Sequence, residues 1–195
     1  KKKFLVKKIK IPLLGVHNVR NSVAAIGVAL TVGISIRAIK KGLSSFKGVQ
    51  RRFNKIFTYN HIDYYDDYAH HPTEIKFVLD GLKKVYKNYE KICIFQPHRI
   101  SRLKDLRKEF SYSFSDADTV ILCPIFTAGE KMKLGFSYNS FAREIIENSK
   151  VKLFLVNNNN ELAKFLKYLN GKKIVIGMGA GTISSWMRQL PKLMK

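Results

Sequence analysis

The chain has 195 residues, enough for one ordinary domain and part of another, and its 46% hydrophobic content fits a globular protein with a real core. Lys and Arg number 36 against 14 Asp and Glu, a formal net charge of +22, which raises nucleic acid or an anionic membrane as partner. The lysines are scattered over predicted helix surfaces and turns, and there is no RNA-binding signature, zinc finger or basic heptad, so specific nucleic-acid binding is not expected.

Residues 4–14 alternate loosely and read as a strand ending at Gly15. The run 17–21 (HNVRN) opens a helix reaching about Val32, with Ala24, Ala25, Val28, Ala29 and Val32 as a small-residue packing face. Gly33 is its predicted stop, because glycine tolerates the left-handed conformation at a helix end. A second helix covers 36–46 and ends near Gly48. The stretch 23–39 is fairly apolar but short, dotted with glycine and bracketed by Arg20, Arg37 and Lys40, so no membrane span is expected. The run 48–53 (GVQRRF) reads as a junction, and a domain boundary is placed near residue 50.

Beyond the junction, strands are predicted over 57–65, 92–95, 119–125, 151–156 and 173–178. Helices are predicted over 72–86, 101–114, 138–148, 161–168 and 183–194. This alternation implies an α/β fold, a mostly parallel sheet with helices on both faces. Cys93 and Cys123 sit in apolar runs and read as buried free thiols of a reducing compartment. The amino terminus shows no signal-peptide pattern, and its first residue is Lys, so the chain is expected to be a fragment.

Polar residues gather where predicted strands turn into helices, which in open α/β sheets is where ligands bind. Residues 66–74 (DDYAHHPTE) bring two carboxylates, a phenol and two imidazoles together, with Pro72 suited to a first helical turn. Residues 96–102 (QPHRISR) place Arg99 and Arg102 three apart, able to face one way on a helical turn. Two guanidinium forks near helix N–H groups make a carboxylate or phosphate site, or else a solvated basic turn. The run 178–182 (MGAGT) lets backbone approach a ligand closely or simply packs tightly. Glu130 in the run 127–130 reads more as solvated than catalytic. Asn18 and Asn21 share a helix face and can read the edge of a base such as adenine, although Asn18 also suits a helix cap. Arg52 can pair a phosphate or form a hinge salt bridge.

The runs 15–21, 48–53, 66–74, 95–102, 128–130 and 178–181 occur in one order that resembles the Mur ligase family. Within it, DDYAHHPTE and FQPHRxSR point to the L-alanine-adding branch. The resemblance implies a three-domain cytoplasmic enzyme of peptidoglycan synthesis. It would use ATP and Mg2+ to join L-alanine to UDP-N-acetylmuramate through an acyl phosphate. It also implies that residues 1–50 end the central ATP-binding domain and 51–195 form the Rossmann-like carboxyl-terminal domain. No GxxxxGK[ST] phosphate loop occurs in the sequence. The loop, the UDP-binding domain and the metal ligands are therefore expected in a missing amino-terminal part, and this chain is expected to be inactive alone.

Carried over by position, the resemblance assigns His17, Asn18 and Asn21 to the adenine side. It puts Arg52 and Asp67 near the ribose and phosphates, and Tyr68, His70, Arg99 and Arg102 around the incoming amino acid. Asp67, His70 and Arg52 are the expected catalytic groups. Arg20, Pro124 and Thr182 depart from residues the family often carries there. The alternative reading is a non-catalytic basic α/β module that binds nucleic acid or other anionic partners.

Overall fold

In the computed structural model, residues 5–13, 16–131 and 137–195 are described, apart from the side chains of Val16 and His17. The chain divides into two units, Lys1–Val49 and Gln50–Lys195. The first contains α1 (Val16–Thr31) and α2 (Ile36–Ser45). Gly33 ends α1 at φ +83°. Its N–H bonds to the Leu30 carbonyl, and the Ile34 N–H bonds to that of Ala29. This paired closure needs the left-handed residue that glycine supplies without strain. Ser35 caps α2 by accepting from the Ala38 N–H at 3.3 Å.

The strand expected over 4–14 is not found over residues 5–13, and the rest of that span, with Gly15, lies outside the described residues. A strand forms where a neighbour completes its ladder, and no described strand runs beside this one. The small-residue face expected on α1 is left open by the described residues, with Val28 66% and Val32 67% exposed.

The second unit is a six-stranded sheet. Its strands are β1 (Asn54–Tyr59), β2 (Ile62–Asp67), β3 (Glu90–Phe95), β4 (Thr119–Leu122), β5 (Lys152–Leu155) and β6 (Lys173–Met178). They lie in the order β1-β2-β6-β3-β4-β5, and every pairing is parallel except β1 with β2. The single strand expected over 57–65 is thus a hairpin. Asn60 and His61 both have positive φ, as a two-residue hairpin turn requires. Asparagine takes that conformation readily, but His61 stands where glycine would have advertised the turn.

Alternate strand residues feed two cores. Tyr65, Cys93, Phe95, Val120, Leu122 and Ile176 pack on one face. That face is covered by α3 (Pro72–Val85), α4 (Ile100–Asp105), α5 (Arg107–Ser111) and α6 (Tyr138–Ser149). Ile62, Tyr64, Ile94, Ile121 and Val175 pack on the other, under α7 (Asn159–Lys167) and α8 (Ile183–Leu193). The α/β reading with helices on both faces therefore holds.

The helix expected over 101–114 is broken at Leu106, whose φ and ψ of −111° and 24° leave the helical region. The break lets Leu103, Phe110 and Phe114 all reach the same core. Gly81 lies inside α3, and a Cβ there would meet nothing within 4 Å. Gly81→Ala is therefore expected to raise stability by about 0.5–1 kcal/mol, read from thermal or urea unfolding.

Candidate functional site at the strand ends

After β2 the chain crosses to β3, steps outward through β4 and β5, and returns to lay β6 between β2 and β3. The direction of winding reverses between those strands, and the crevice outside their carboxyl ends is the expected ligand site of an open α/β sheet. The segments that the sequence singled out leave β2, β3, β4 and β6 at that end.

The loop after β2 is held by its own side chains. Glu74 Oε2 accepts from the backbone N–H groups of His70 and His71, at 3.0 and 3.2 Å. His71 Nδ1 accepts from the Thr73 N–H at 3.3 Å, so this imidazole caps α3. His70 Nδ1 lies 2.8 Å from the Tyr68 carbonyl and 3.3 Å from Glu74 Oε2. Both oxygens can only accept, so Nδ1 carries the proton and the neutral ring keeps its lone pair on Nε2.

The two aspartates do different work. Asp66 is fully buried, accepts from Ser184 Oγ and faces Arg188 at 3.8 Å, which ties β2 to α8. Asp67 is 4% exposed. Its Oδ2 accepts from the Phe53 N–H at 2.7 Å and its Oδ1 from the Ala69 N–H at 2.8 Å. Burial pushes its carboxyl above the usual range, against the pull of those N–H groups and the Arg52 charge. The structure thus places Asp67 as a tie between the junction and the β2 loop. Asp67→Asn would set an amide NH2 against one of these donors. It is expected to destabilise the chain by about 1.5–3 kcal/mol, measured by urea unfolding.

Arg52 is exposed, with its guanidinium carbon 6.0 Å from the centre of the Tyr68 ring. Its neighbour Arg51, which the sequence reading passed over, is the more tightly engaged. Arg51 Nη2 donates to the Gly179 carbonyl at 2.6 Å, and its guanidinium lies 4.5 Å from the Tyr68 ring centre. Its own carbonyl accepts from the Tyr68 N–H at 2.7 Å. The only sequence signal for this role was the adjacent pair of arginines.

The glycine turn after β6 is closely packed. A Cβ at Gly181 would sit 2.5 Å from Phe126 Cγ, and one at Gly179 would sit 2.8 Å from the Gln96 carbonyl oxygen. Gln96 Oε1 also accepts from the Ile183 N–H at 2.9 Å, and Gln96 Nε2 donates to Thr182 Oγ1. Tight packing therefore accounts for both glycines, and the expected close approach of this turn to a ligand is not needed to explain them.

The loops after β3 and β4 bond to one another. His98 and Phe126 form a parallel bridge, and the Arg99 N–H donates to the Phe126 carbonyl at 2.9 Å. Arg99 has φ +70°, a conformation that costs a non-glycine residue roughly 1–3 kcal/mol and gathers at functional sites. The rings of Tyr68, His70, His98 and Phe126 form a continuous row, with centres 5.1, 5.9 and 5.4 Å apart. Arg102 Nη1 lies 3.3 Å from His98 Nδ1. Burial, followed by the Arg102 charge, any proton taken up on His70 and the Arg99 charge, pulls the His98 pKa below its ordinary value, while Glu130 pulls it up. His98 and Phe126 were not singled out from sequence, although His98 lies inside the quoted run 96–102.

Glu130 caps α4. Its carboxylate accepts from Ser101 Oγ and from the Ser101 N–H, at 2.6 and 2.9 Å, and these bonds lead in holding it below the usual range. The helix N–H groups expected to help bind an anion are thus engaged by Glu130, and a carboxylate clamp here rests on the Arg99 and Arg102 side chains. Asn18 and Asn21 lie on α1 in the first unit, and the Asn18 carbonyl accepts from Ser22 Oγ. The His17 side chain lies outside the described residues. Among the described residues, no group of three or more His, Cys, Asp or Glu is placed to hold a metal ion.

A family model described as "Mur ligase, glutamate ligase domain" matches residues 51–181. A UDP-N-acetylmuramate–L-alanine ligase from Pelagibacter ubique is 69% identical over 99% of this chain and 42% of its own length. One of the same description from Mesorhizobium japonicum is 42% identical over 94% of this chain and 40% of its own length. The crystal structure of UDP-N-acetylmuramate-alanine ligase from Thermotoga maritima superposes with a TM-score of 0.74 at 28% identity. That match covers 94% of this chain and 39% of the other. The chain spans about two fifths of the length of the curated relatives it matches.

Proposed function

The chain belongs to the Mur ligase family, and from that premise we propose that it is part of an ATP-dependent ligase joining L-alanine to UDP-N-acetylmuramate in peptidoglycan synthesis. In this reading residues 1–50 end the central ATP-binding domain and 51–195 form the amino-acid-binding domain. The observation that carries it is the placement of Tyr68, His70, His98, Arg99 and Arg102 together at the switch point of the sheet.

The chemistry of that group suits an incoming amino acid. Arg99 and Arg102 offer planar forks to a carboxylate. His70, oriented through Nδ1 by Tyr68 and Glu74, offers Nε2 as the base that takes the proton of the attacking amine. Holding the amine in place can account for roughly 7–11 kcal/mol of barrier lowering in favourable cases. ATP, when bound, supplies the phosphoryl group that activates the muramate carboxylate. In the first unit Asn18 and Asn21 are suited to its adenine; in the second, Arg52 is suited to a phosphate, and Asp67 holds the backbone next to it at Phe53. The described residues do not fit a Mg2+ site, since no three of their His, Cys, Asp or Glu side chains are placed to hold a metal ion. The free, buried Cys93 and Cys123 suit a reducing compartment, which supports the cytoplasm. No described helix is long and apolar enough to cross a membrane.

The test is a chimera in which this chain replaces the matching region of the Pelagibacter ubique relative. Phosphate release from ATP that depends on both L-alanine and UDP-N-acetylmuramate is expected. A folded chimera that releases phosphate with neither dependence would sink the reading.

A further inference from the structure

His98 is the ring of the row that bonds to the arginine clamp. Its Nδ1 lies 3.3 Å from Arg102 Nη1, and its carbonyl lies 3.4 Å from the same nitrogen. The ring is fixed from several directions. It stacks on Phe126 at an interplanar angle of 19°, meets His70 edge-on, and its backbone is bridged to Phe126. Phe126 is itself seated against Gly181, where even a Cβ would not fit.

Resting on the amino-acid clamp read above, we infer that His98 is a positioning residue whose unprotonated Nδ1 aims the Arg102 guanidinium at the substrate carboxylate. A guanidinium has donors and no acceptor, so this contact exists only while Nδ1 holds its lone pair. A doubly protonated ring would set N–H against N–H. The charged and titratable groups around His98 are Arg99 just before α4, Arg102 on α4, His70 from the β2 loop with Glu74 behind it, and Glu130 from the β4 loop. Burial and the Arg102 and Arg99 guanidinium groups outweigh Glu130 and hold the ring below the ordinary histidine range. The acceptor is therefore present at neutral pH and is lost as pH falls through that lowered value.

The test is steady-state kinetics of the chimera, with the KM for alanine and for ATP measured separately from roughly pH 5 to pH 9. His98→Phe keeps a ring between Phe126 and His70 but removes the acceptor. It is expected to raise the alanine KM about tenfold at every pH, with the ATP KM unmoved. His98→Asn keeps an acceptor near the Nδ1 position that does not titrate. It is expected to restore the alanine KM at neutral pH and to abolish its rise toward acid. An unchanged alanine KM in His98→Phe, or a persistent acid rise in His98→Asn, would overturn the inference. Arg102→Ala is run alongside. If it leaves the alanine KM unchanged, the clamp reading fails and this inference with it. If it raises that KM and His98→Phe does not, only the positioning role fails.

Discussion

Arg102→Ala is expected to lower kcat/KM for alanine about ten- to a hundredfold, with the KM for ATP unchanged. The magnitude follows from losing one charge-assisted hydrogen bond, typically about 1.5–3 kcal/mol. The selectivity follows from placement. Arg102 sits on α4 beside His98 of the preceding loop, whereas the residues proposed for the nucleotide are Asn18 and Asn21 on α1 and Arg52 at the junction. Arg102→Lys should not rescue the loss. Lysine offers a point charge on a flexible stem, while the half-buried guanidinium offers a planar fork already held at the His98 carbonyl and ring. Helix dipole effects will not compensate, because Glu130 already occupies the first N–H groups of α4. The measurement varies alanine and ATP separately in the chimera. An ATP KM that rises while alanine kinetics stay put would show that these arginines serve the nucleotide.

What could be read in the sequence, and what could not, follows from where the information lies. The long helix α3 was legible because Ile75, Leu79 and Leu82 recur on one face and Pro72 marks its start. The central strands were legible as short apolar runs, since β3, β4 and β6 are buried on both faces. The hairpin was not, because a His at the second turn position hides a conformation that glycine would have signalled. Arg99, Arg102 and His70 stood out by their chemistry and position after strands. Arg51, His98 and Phe126 did not, because their roles depend on partners far along the chain. Arg51 meets Gly179, and Phe126 meets both His98 and Gly181. Asp67 was legible as a carboxylate in the right loop, but not as one whose two oxygens are both taken by backbone N–H groups.

The largest effect on stability is expected from Gly179→Ala. Gly179 has φ +149°, where an L side chain is strained by roughly 1–3 kcal/mol. Its Cβ would also lie 2.8 Å from the Gln96 carbonyl oxygen and 3.1 Å from Ile183 Cγ2. The first of these contacts is with backbone, which cannot swing aside. Gln96 is held by its N–H on the Met178 carbonyl, and Gly179 by its own N–H on that of Asp67. Overpacking of this kind costs about 1–3 kcal/mol more. The sum, about 2–6 kcal/mol, is a large share of the roughly 5–15 kcal/mol that holds a typical domain folded. For a chain of this length each kcal/mol moves the melting temperature by about 2–4 °C, so a fall of about 10 °C is expected in thermal unfolding. Gly171→Ala is the control, since Gly171 has φ +81° but nothing within 4 Å of its Cβ position, and should show the strain alone. Gly181→Ala makes the complementary case. A Cβ there would lie 2.5 Å from Phe126 Cγ and 2.6 Å from Phe126 Cβ and Gln96 Oε1, while Gly181 is not among the positive-φ glycines, so it should show crowding without the backbone strain. Displacing Phe126 would disturb the ring stacked on it, so Gly181→Ala should also raise the alanine KM through His98. If Gly179→Ala melts within the fall shown by Gly171→Ala, backbone crowding at Gln96 is not what requires glycine there.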